Sequence, residues 1–362
     1  MPAIGRKIDV MYHVVVTVAR VALLTSCSAF AFGNWKISFS QRLQRIRCRE
    51  SLQCSAKRKG AYGRTKKKAA GFGSEVEENK AEPESGTIYS LPALYDLAFG
   101  YRGFQEEVDF LLYAHEIHGG SGTQPTSVVE LAAGPARHAI ESLLLEDTPV
   151  LSATALDLSK EMVQYGTDLA NSQLNDAQRN SFQYLCGDMR GYEFSSTFDT
   201  AWILLGSLQH MVSNQDVLAC FRAVHTALKA GGTVIVELPH PRETFTMVEC
   251  TRNGWTVPLE DERGENYGEL QVVWGDEDDP FDPITQVRNF TVSMQIVAPE
   301  PVEGMQSVRE IVPMRKFTAQ EINLLAASSG FEVAAMYGAL DEEVSIDDED
   351  GAFRLVCVLR KN

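Results

Sequence analysis

Residues 127–139 read SVVELAAGPARHA, and this stretch decides the predicted fold. Ser127–Ala133 is an apolar run typical of a buried strand, and apolar residues at helical spacing follow over Gly134–Leu145. Small residues and a proline lie where the first pattern passes into the second. The stretch therefore predicts a strand, a tight turn and a helix, which together form the repeating unit of a parallel α/β sheet.

The same alternation continues along the chain. Ser159 is a natural N-cap for the helix that follows the second strand, and Gly231-Gly232 are expected to stop a helix over Ser213–Leu228. Four further apolar runs predict strands: Thr154–Leu158, Phe182–Asp188, Phe198–Gly206 and Thr233–Leu238. This order predicts an α/β fold with a parallel sheet.

After residue 240 the pattern becomes antiparallel. Arg288–Val297 alternates between apolar and polar residues, as a half-buried antiparallel strand does. We expect a small β insertion at about residues 241–316, followed by a helix that opens on a capping box at Thr318 and Glu321. The remaining predicted strands are the partners Tyr267–Trp274 and Val308–Phe317, and the closing pair Phe331–Tyr337 and Phe353–Arg360.

The charge of the 362-residue chain is divided unevenly. Residues 1–70 hold 15 Lys and Arg against 2 Asp and Glu, a charge of +13. Residues 71–362 hold 18 Lys and Arg against 47 Asp and Glu, a charge of −29, so the net charge of the chain is −16. An acidic body disfavours a nucleic-acid partner, because nucleic-acid binding needs a basic surface.

The basic segment predicts a targeting leader over residues 1–70. Residues 11–33 are largely apolar and follow Arg6 and Lys7, while residues 34–70 are rich in Arg, Lys and Ser. Ser28–Phe32 reads SAFAF and resembles the cleavage motif of bipartite plastid-targeting sequences. We expect plastid import. A secretory signal, a membrane anchor formed by residues 11–33, and a basic arm that binds nucleic acid or acidic lipid stay open as alternatives.

Residues 71–87 are rich in Gly, Glu, Pro and Ser and predict a linker, so the folded domain is expected over 88–362. The body's cysteines are scattered, and no Cys or His group has the spacing of a metal site. We therefore expect a reduced, metal-free body without stable membrane insertion.

Acidic residues follow successive predicted strands. Asp157 ends the second strand and Asp188 the third, while Gly206 ends the fourth. In an open α/β sheet the ligand binds at the carboxyl ends of the strands. A carboxylate there can accept both hydroxyls of a ribose, and Asp188 followed by apolar Met189 suits an adenine ring.

With these motifs the sequence resembles the class I S-adenosylmethionine-dependent methyltransferases over about residues 88–240 and 318–361. The resemblance rests on VVELAAGPARHA, ALDLS, GDM, FDTAWILLGSLQHM and LKAGGTVIVEL. It implies a Rossmann-like seven-stranded sheet and S-adenosylmethionine as cofactor. Ala132 and Ala136 stand where the family usually has glycine. The implied cofactor-binding residues are Glu130, Ala132, Gly134, Ala136, Asp157, Leu158, Asp188, Met189, Leu205 and Gly206.

The resemblance also suggests residues for the acceptor side. His210 after the fourth strand and His240 after the fifth are candidate general bases, although either could be a turn residue without chemistry. Tyr95, Tyr101 and Arg102 lie in a segment that covers the cofactor in small-molecule relatives. Arg315 occupies a position similar to substrate-proximal residues, with surface ion pairing as the alternative. We expect a small-molecule acceptor methylated on nitrogen or oxygen; the sequence leaves the oligomeric state open.

Two other functions remain to be weighed. An NAD(P)-linked oxidoreductase would prefer Gly-x-Gly-x-x-Gly, where this chain has Ala132, Gly134 and Arg137. A methyltransferase-like domain could also keep its fold and serve as a silent binding or assembly module. Binding of the cofactor, followed by a test for methyl transfer, distinguishes these possibilities.

Overall fold

The structure is a computed structural model that describes residues 87–242, 253–261, 263–299, 302 and 306–362. All of them belong to the compact unit Ala69–Asn362. The predicted leader, and the predicted linker as far as residue 86, lie outside the described residues. None of the helices within the described ranges is long and apolar enough to cross a membrane.

Twelve strands and seven α-helices make up the described part of the chain. The strands are β1 Ser127–Leu131, β2 Ser152–Asp157, β3 Phe182–Cys186, β4 Phe198–Ile203, β5 Leu228–Pro239, β6 Asn253–Glu260, β7 Asn266–Trp274, β8 Phe281–Asp282, β9 Val287–Val297, β10 Val308–Arg315, β11 Phe331–Tyr337 and β12 Arg354–Lys361. The α-helices are α1 Pro92–Phe99, α2 Phe104–His118, α3 Arg137–Leu144, α4 Lys160–Gln173, α5 Asp176–Asn180, α6 Asn214–Ala227 and α7 Ala319–Ala327. Two short 3-10 helices cover Ile88–Ser90 and Ser207–His210.

The main sheet has seven strands in the order β11-β12-β5-β4-β1-β2-β3. Strands β1 to β5 are parallel, whereas β12 runs antiparallel to both β5 and β11. The strand order reverses between β1 and β4, and ligands of open α/β sheets bind at such a reversal. The predicted α/β class and parallel sheet are confirmed.

Two apolar cores lie on opposite faces of this sheet. One buries Val217, Phe221 and Ile322 of helices α6 and α7. The other buries residues of α2, α3 and α4, such as Leu111 and Ile140. Because both faces are covered, the central strands are largely apolar, as the buried Ala201–Ile203 of β4 show.

Local sequence sets several helix starts. The Ser159 hydroxyl accepts a hydrogen bond from the Met162 N–H at 3.2 Å, which caps α4. Thr318 and Glu321 form the predicted capping box at the start of α7. These caps satisfy backbone donors that the first turn of a helix leaves without partners.

The prediction that Gly231-Gly232 stop a helix is wrong. Helix α6 ends at Ala227, and the two glycines lie inside β5, at an irregularity between the pairs Phe198–Leu228 and Thr200–Thr233. Gly231 has φ 71°, and a Cβ on it would lie 2.9 Å from the Gly120 Cα atom. The glycine is therefore needed for a close backbone approach rather than for a helix cap.

A second, antiparallel sheet has the strand order β10-β9-β7-β6, with β8 paired to β9. It lies in the predicted insertion, where the sequence did not predict β6 or β8. Its apolar face, which includes Leu270, Val292 and Val312, packs against Ile88 and against Leu94 of α1. Helix α1 thus lies against this sheet by one of its sides.

Candidate active site

The loop after β1 depends on three alternating residues with left-handed backbone conformation. Ala132, Gly134 and Ala136 have φ of 51°, 54° and 58°. This region costs an L-residue with a side chain roughly 1–2 kcal/mol, so the two alanines hold the loop at a cost that glycine avoids. The loop is tied to the next strand, because the Ala133 N–H donates to the Leu156 carbonyl at 3.0 Å.

The Asp157 carboxylate at the end of β2 connects this loop to helix α4. Its Oδ2 accepts from the Gly134 N–H at 2.8 Å, and its Oδ1 accepts from the Ser159 N–H at 2.9 Å. Burial raises the pKa of Asp157, opposed by these backbone hydrogen bonds. Each carboxylate oxygen keeps a further acceptor site, so the group can still accept a hydroxyl. The neighbouring Leu158 side chain is 71% exposed.

Asp188 follows β3 at an open cavity of about 360 Å³, which Arg190, Gly191 and Tyr192 also line. The Arg190 Nε donates to both Asp188 oxygens, at 3.0 and 2.8 Å. The hydrogen bonds from Arg190 lower the pKa of Asp188. Met189 is buried and belongs to the apolar core under α6.

The end of β4 carries a strained backbone. Leu205 has φ 55° and Gly206 has φ 73°. A positive φ is rare for a bulky residue, and such outliers cluster at functional sites. The Leu205 N–H donates to the Glu237 carboxylate at 2.8 Å, and the Gly206 N–H donates to the Glu237 carbonyl at 3.1 Å. Glu237 therefore fixes the conformation of the turn after β4.

Glu237 is also the centre of a buried ion cluster. Its carboxylate lies 3.1 Å from the Arg102 Nη2 and 3.2 Å from the Arg354 Nε, and its side chain is 2% exposed. Burial disfavours the carboxylate, but the two guanidinium groups and the Leu205 N–H outweigh this and lower the pKa of Glu237 to about 2. The carboxylate stays ionised throughout the physiological range.

The ion cluster extends to the loop after β1. The Arg102 Nε donates to Glu107 of α2 at 2.9 Å, and the His138 Nε2 lies 2.8 Å from the same carboxylate oxygen. The His138 Nδ1 lies 3.3 Å from Glu130, whose other oxygen accepts from the Ala139 N–H at 2.9 Å. Burial disfavours the imidazolium, but hydrogen bonds to Glu107 and Glu130 raise the pKa of His138 to about 9.

We call this set of six side chains the charge chain; its members are Arg354, Glu237, Arg102, Glu107, His138 and Glu130. Cations and anions alternate along it, so each buried charge has an opposite neighbour, which offsets the cost of removing the charges from water. It joins β5, β12, α2, α3 and β1. Arg102 and Glu130 were predicted at the site, whereas Glu107 and Glu237 were not.

Helix α1 covers the loop after β1. A Cβ on Gly134 would lie 3.7 Å from the Tyr95 Cε1 atom, and Tyr95 is half-buried. Next to it, the Asp96 carboxylate accepts hydrogen bonds at 2.8 Å from the Arg137 Nε and from the Tyr165 hydroxyl. The predicted lid residue Tyr95 thus lies at the loop.

Tyr101 lies further from the loop, on the side of the second sheet. Its ring centroid is 6.2 Å from that of Trp255, and its side chain is 40% exposed. The Trp255 Nε1 donates to the Ala98 carbonyl at 2.8 Å, which ties the end of α1 to β6.

The two candidate histidines have different surroundings. His210 lies in the turn after β4, where its Nε2 is 2.9 Å from the Tyr89 hydroxyl oxygen, and burial lowers its pKa. His240 uses both nitrogens in the chain's own hydrogen bonds: its Nε2 lies 3.0 Å from the Ile346 carbonyl, and its Nδ1 accepts from the Arg242 N–H at 3.1 Å. Both ring nitrogens of His240 are thus engaged, whereas for His210 the described residues provide a partner for the Nε2 alone.

Arg315, at the end of β10, is buried rather than exposed. Its Nη2 donates to Glu321 at 3.0 Å, and its guanidinium carbon lies 4.8 Å from the centroid of the Phe317 ring. Its carbonyl accepts from the Gln209 Nε2 at 3.0 Å. The arrangement ties the second sheet to the turn that holds His210.

Within the described residues, no group of His, Cys, Asp and Glu could hold a metal ion. Cys220 and Cys357 are buried free thiols, and Cys186 is an exposed free thiol.

Comparison with known proteins gives this sheet edge a family context. Residues 128–232 match the family model described as a methyltransferase domain. This stretch includes the loop after β1, both strand-end aspartates and the turn with His210, so it supports the resemblance seen in the sequence. Among curated protein sequences, none matches the chain.

Solved structures share the fold over most of this chain at low sequence identity. An S-adenosylmethionine-dependent methyltransferase from Clostridium acetobutylicum is 16% identical, with a TM-score of 0.56 over 75% of this chain and 97% of that one. The amino pentose methyltransferase CalS10 of Micromonospora echinaspora is 15% identical, with a TM-score of 0.55 over 78% and 99%. The sugar N-methyltransferase KedS8 of Streptoalloteichus is 17% identical, with a TM-score of 0.54 over 82% and 100%. These likenesses confirm the predicted Rossmann-like seven-stranded sheet.

Proposed function

We propose that this protein transfers the methyl group of S-adenosylmethionine to a nitrogen or oxygen atom of a small metabolite. One observation carries the proposal: the stretch that matches the methyltransferase domain places its loop, Asp157 and Asp188 along one edge of the parallel sheet, at the reversal of strand order. Ligands of this fold class bind at that edge. The similar solved structures are less than 20% identical to this chain and therefore support the fold alone. They do not specify the acceptor.

The residues at this edge fit the cofactor chemically. Asp157 would hold the ribose hydroxyls, because each of its oxygens keeps an acceptor site beyond its bond to the Gly134 or Ser159 N–H. Asp188, at the open cavity, would accept from the adenine amino group while Arg190 fixes its orientation. When bound, the cofactor supplies a methyl group activated by its sulfonium, so the protein mainly provides orientation and proximity.

The acceptor's proton can be taken by His210. Burial lowers the pKa of His210, so its imidazole is neutral near pH 7 and can accept a proton. With the Nε2 donating to the Tyr89 hydroxyl oxygen, the Nδ1 has no hydrogen-bond partner among the described residues and can act as the base. Tyr89 would then orient the ring, which is a positioning role that the sequence did not indicate.

Calorimetry with S-adenosylhomocysteine tests cofactor binding. We expect the full chain to bind, and Asp157→Ala to weaken the affinity more than tenfold. Asp168→Ala on the exposed side of α4 is a matched control, since among the described residues its carboxylate accepts hydrogen bonds from Gln164 alone. Absence of binding by the unmodified chain would overturn the proposal.

Methyl transfer itself is tested with labelled cofactor and a metabolite extract. Label should appear on a small molecule, and the labelled molecule identifies the acceptor. Binding without transfer to any member of a broad metabolite panel would instead favour a silent binding or assembly module.

The leader leads to a separate proposal on location. We propose that residues 1–70 direct the protein to a plastid, on the basis of the basic composition and the Ser28–Phe32 motif. A fluorescent reporter fused after the full chain should enter plastids in an alga with secondary plastids. Retention in the cytosol or secretion would overturn this proposal without affecting the one on methyl transfer.

A further inference from the structure

Helix α1 carries one charged side chain, Asp96, and this residue is 6% exposed. The Arg137 Nε donates to the Asp96 Oδ1 at 2.8 Å, and the Arg137 Nη2 donates to the Oδ2. The Tyr165 hydroxyl donates to the same Oδ2 at 2.8 Å. These three side chains, which we call the latch, join α1 to two other helices.

The two partners of Asp96 belong to elements that border the proposed cofactor site. Arg137 is the first residue of α3 and directly follows Ala136, which ends the loop after β1 with φ 58°. Tyr165 lies in α4, the helix that follows Asp157 at the end of β2. The latch therefore bonds α1 to both sides of the place where the cofactor would bind.

Tyr95, next to Asp96 in α1, lies over the backbone of the loop after β1. A Cβ on Gly134 would lie 3.7 Å from the Tyr95 Cε1 atom. Small residues leave a loop backbone open to a ligand, so a side chain placed over such a backbone restricts access to it. With the latch closed, α1 lies in the path of a ligand that approaches the loop from this side.

The opposite side of α1 belongs to the second sheet. Leu94 packs in the apolar core of that sheet, and the Trp255 Nε1 donates to the Ala98 carbonyl at 2.8 Å. The segment before α1 is held at the start of α4 by a hydrogen bond from the Ser159 hydroxyl to the Tyr89 carbonyl, at 2.9 Å. The latch is therefore the charged contact that holds the middle of α1 toward the loop.

The ion pair of the latch is strong and has a single geometry. A guanidinium that donates two parallel hydrogen bonds to one carboxylate forms a bidentate pair, which is stronger and more specific than a single contact. The Arg137 side chain is 29% exposed, whereas that of Asp96 is 6% exposed. A buried carboxylate without partners is costly, so the latch separates only when water reaches Asp96.

An open cavity of about 510 Å³ lies in the seam between the start of α1 and α4. Ser90 and Pro92 line it on one side, and Lys160, Gln164 and Tyr165 line it on the other. Tyr165 thus belongs both to the latch and to the wall of the cavity. Because side chains do not fill the seam, solvent lies next to a member of the latch.

We propose that the latch gates the exchange of the cofactor: it holds α1 over the loop after β1, and it opens when the cofactor enters or leaves. The inference rests on the proposed function, which supplies the ligand of the loop. Opening of such elements limits ligand exchange in many enzymes. The latch is closed both before and after binding, so weakening it accelerates entry and exit alike and leaves the Kd nearly unchanged.

Two measurements on the full chain test the latch. Hydrogen exchange of the α1 backbone amides, without any ligand, reports how readily the helix opens. Surface plasmon resonance with S-adenosylhomocysteine gives the association and dissociation rate constants. The variants are Asp96→Asn, Arg137→Gln and Tyr165→Phe. Asp176→Asn is the matched control, since Asp176 also pairs with an arginine, Arg179, but its side chain is 93% exposed.

We expect Asp96→Asn and Arg137→Gln to raise both rate constants about tenfold, because each removes one charge of a buried pair. Tyr165→Phe removes one hydrogen bond and should raise both rate constants about threefold. Hydrogen exchange of α1 should accelerate in all three variants, while the Kd of S-adenosylhomocysteine stays nearly unchanged. The control should leave all of these quantities unchanged. If Asp96→Asn does not fold, Arg137→Gln and Tyr165→Phe decide the outcome.

Unchanged rate constants in the folded variants would overturn the inference. A faster dissociation with unchanged association would also overturn it, because the three residues would then support the bound cofactor instead of gating its exchange. Hydrogen exchange of α1 needs no ligand and separates this failure from that of the proposed function. Failure of the unmodified chain to bind S-adenosylhomocysteine, with faster exchange of α1 in the variants, overturns the proposed function and leaves the latch supported.

Discussion

Replacing Glu237 by glutamine removes the central negative charge of the charge chain without changing its size. The amide oxygen of glutamine can still accept from the Leu205 N–H, but its NH₂ group faces the donors of Arg102 and Arg354. In the native protein the pKa of Glu237 falls from 4.5 to about 2. At about 1.4 kcal/mol for each tenfold change, this corresponds to about 3 kcal/mol. Breaking a buried ion pair from one side typically costs about 3–5 kcal/mol, which agrees with this value.

Urea unfolding at pH 7 measures this loss, and Glu332→Gln provides a matched control. Glu332 pairs with Arg360 at the surface, where both side chains are close to half exposed. An exposed pair contributes about 1 kcal/mol or less, so the control should lose much less stability than Glu237→Gln. A loss below about 1 kcal/mol in Glu237→Gln would refute the idea that the charge chain stabilises the fold through this carboxylate.

The pH dependence gives a second check. The folded pKa of Glu237 is depressed, so its contribution is fully present above pH 4.5 and is lost as pH falls toward 2. The difference in unfolding free energy between the native protein and Glu237→Gln should therefore shrink below pH 4.5. A difference that stays constant down to pH 3 would show that packing, rather than charge, causes the loss.

Other variants probe separate features. His138→Gln should lower the unfolding free energy by about 3 kcal/mol at pH 6, since the folded pKa of about 9 exceeds the unfolded value of 6.5. This loss should fade as pH rises through 9, and a loss that stays constant would argue against the ion pairs. Ala132→Gly should raise the unfolding free energy by about 0.5–1 kcal/mol because glycine relieves the strain of the positive φ, and a loss of stability would show that this strain is absent. Ala136→Gly should change the unfolding free energy less, because the Ala136 methyl group is fully buried and its packing is lost. Tyr89→Phe should lower kcat and shift the pH profile of kcat, with KM for the cofactor unchanged. An unaltered pH profile would show that Tyr89 does not position His210.

Much of the main sheet could be predicted from the sequence because its elements depend on local patterns. The apolar run of β4, the N-cap at Ser159 and the capping box at Thr318 each act within a few residues. The glycine pair in β5 could not be interpreted in this way. Gly231 is required because the Gly120 backbone lies close to it, and Gly120 is far away in sequence.

The candidate site was predictable where residues follow strand ends and unpredictable where partners come from distant elements. Asp157 and Asp188 lie at the edge of the sheet as expected. Glu237 lies in an apolar strand, where a lone acid is a weak signal that a buried cation lies nearby, but nothing local identifies Arg102 and Arg354. Tyr89 likewise could not be recognised from the sequence, because its partner His210 is 121 residues away.

Helix α1 lies between the loop after β1 and the second sheet. On one side Tyr95 lies over Gly134, and on the other Phe99 packs edge-on against Trp255 and Trp274, at 5.5 and 5.7 Å between ring centroids. A ligand that displaces the helix at either side changes the space available at the other. If the proposed cofactor binds at the loop and the acceptor on the side of the second sheet, each ligand must alter the affinity for the other by the same factor.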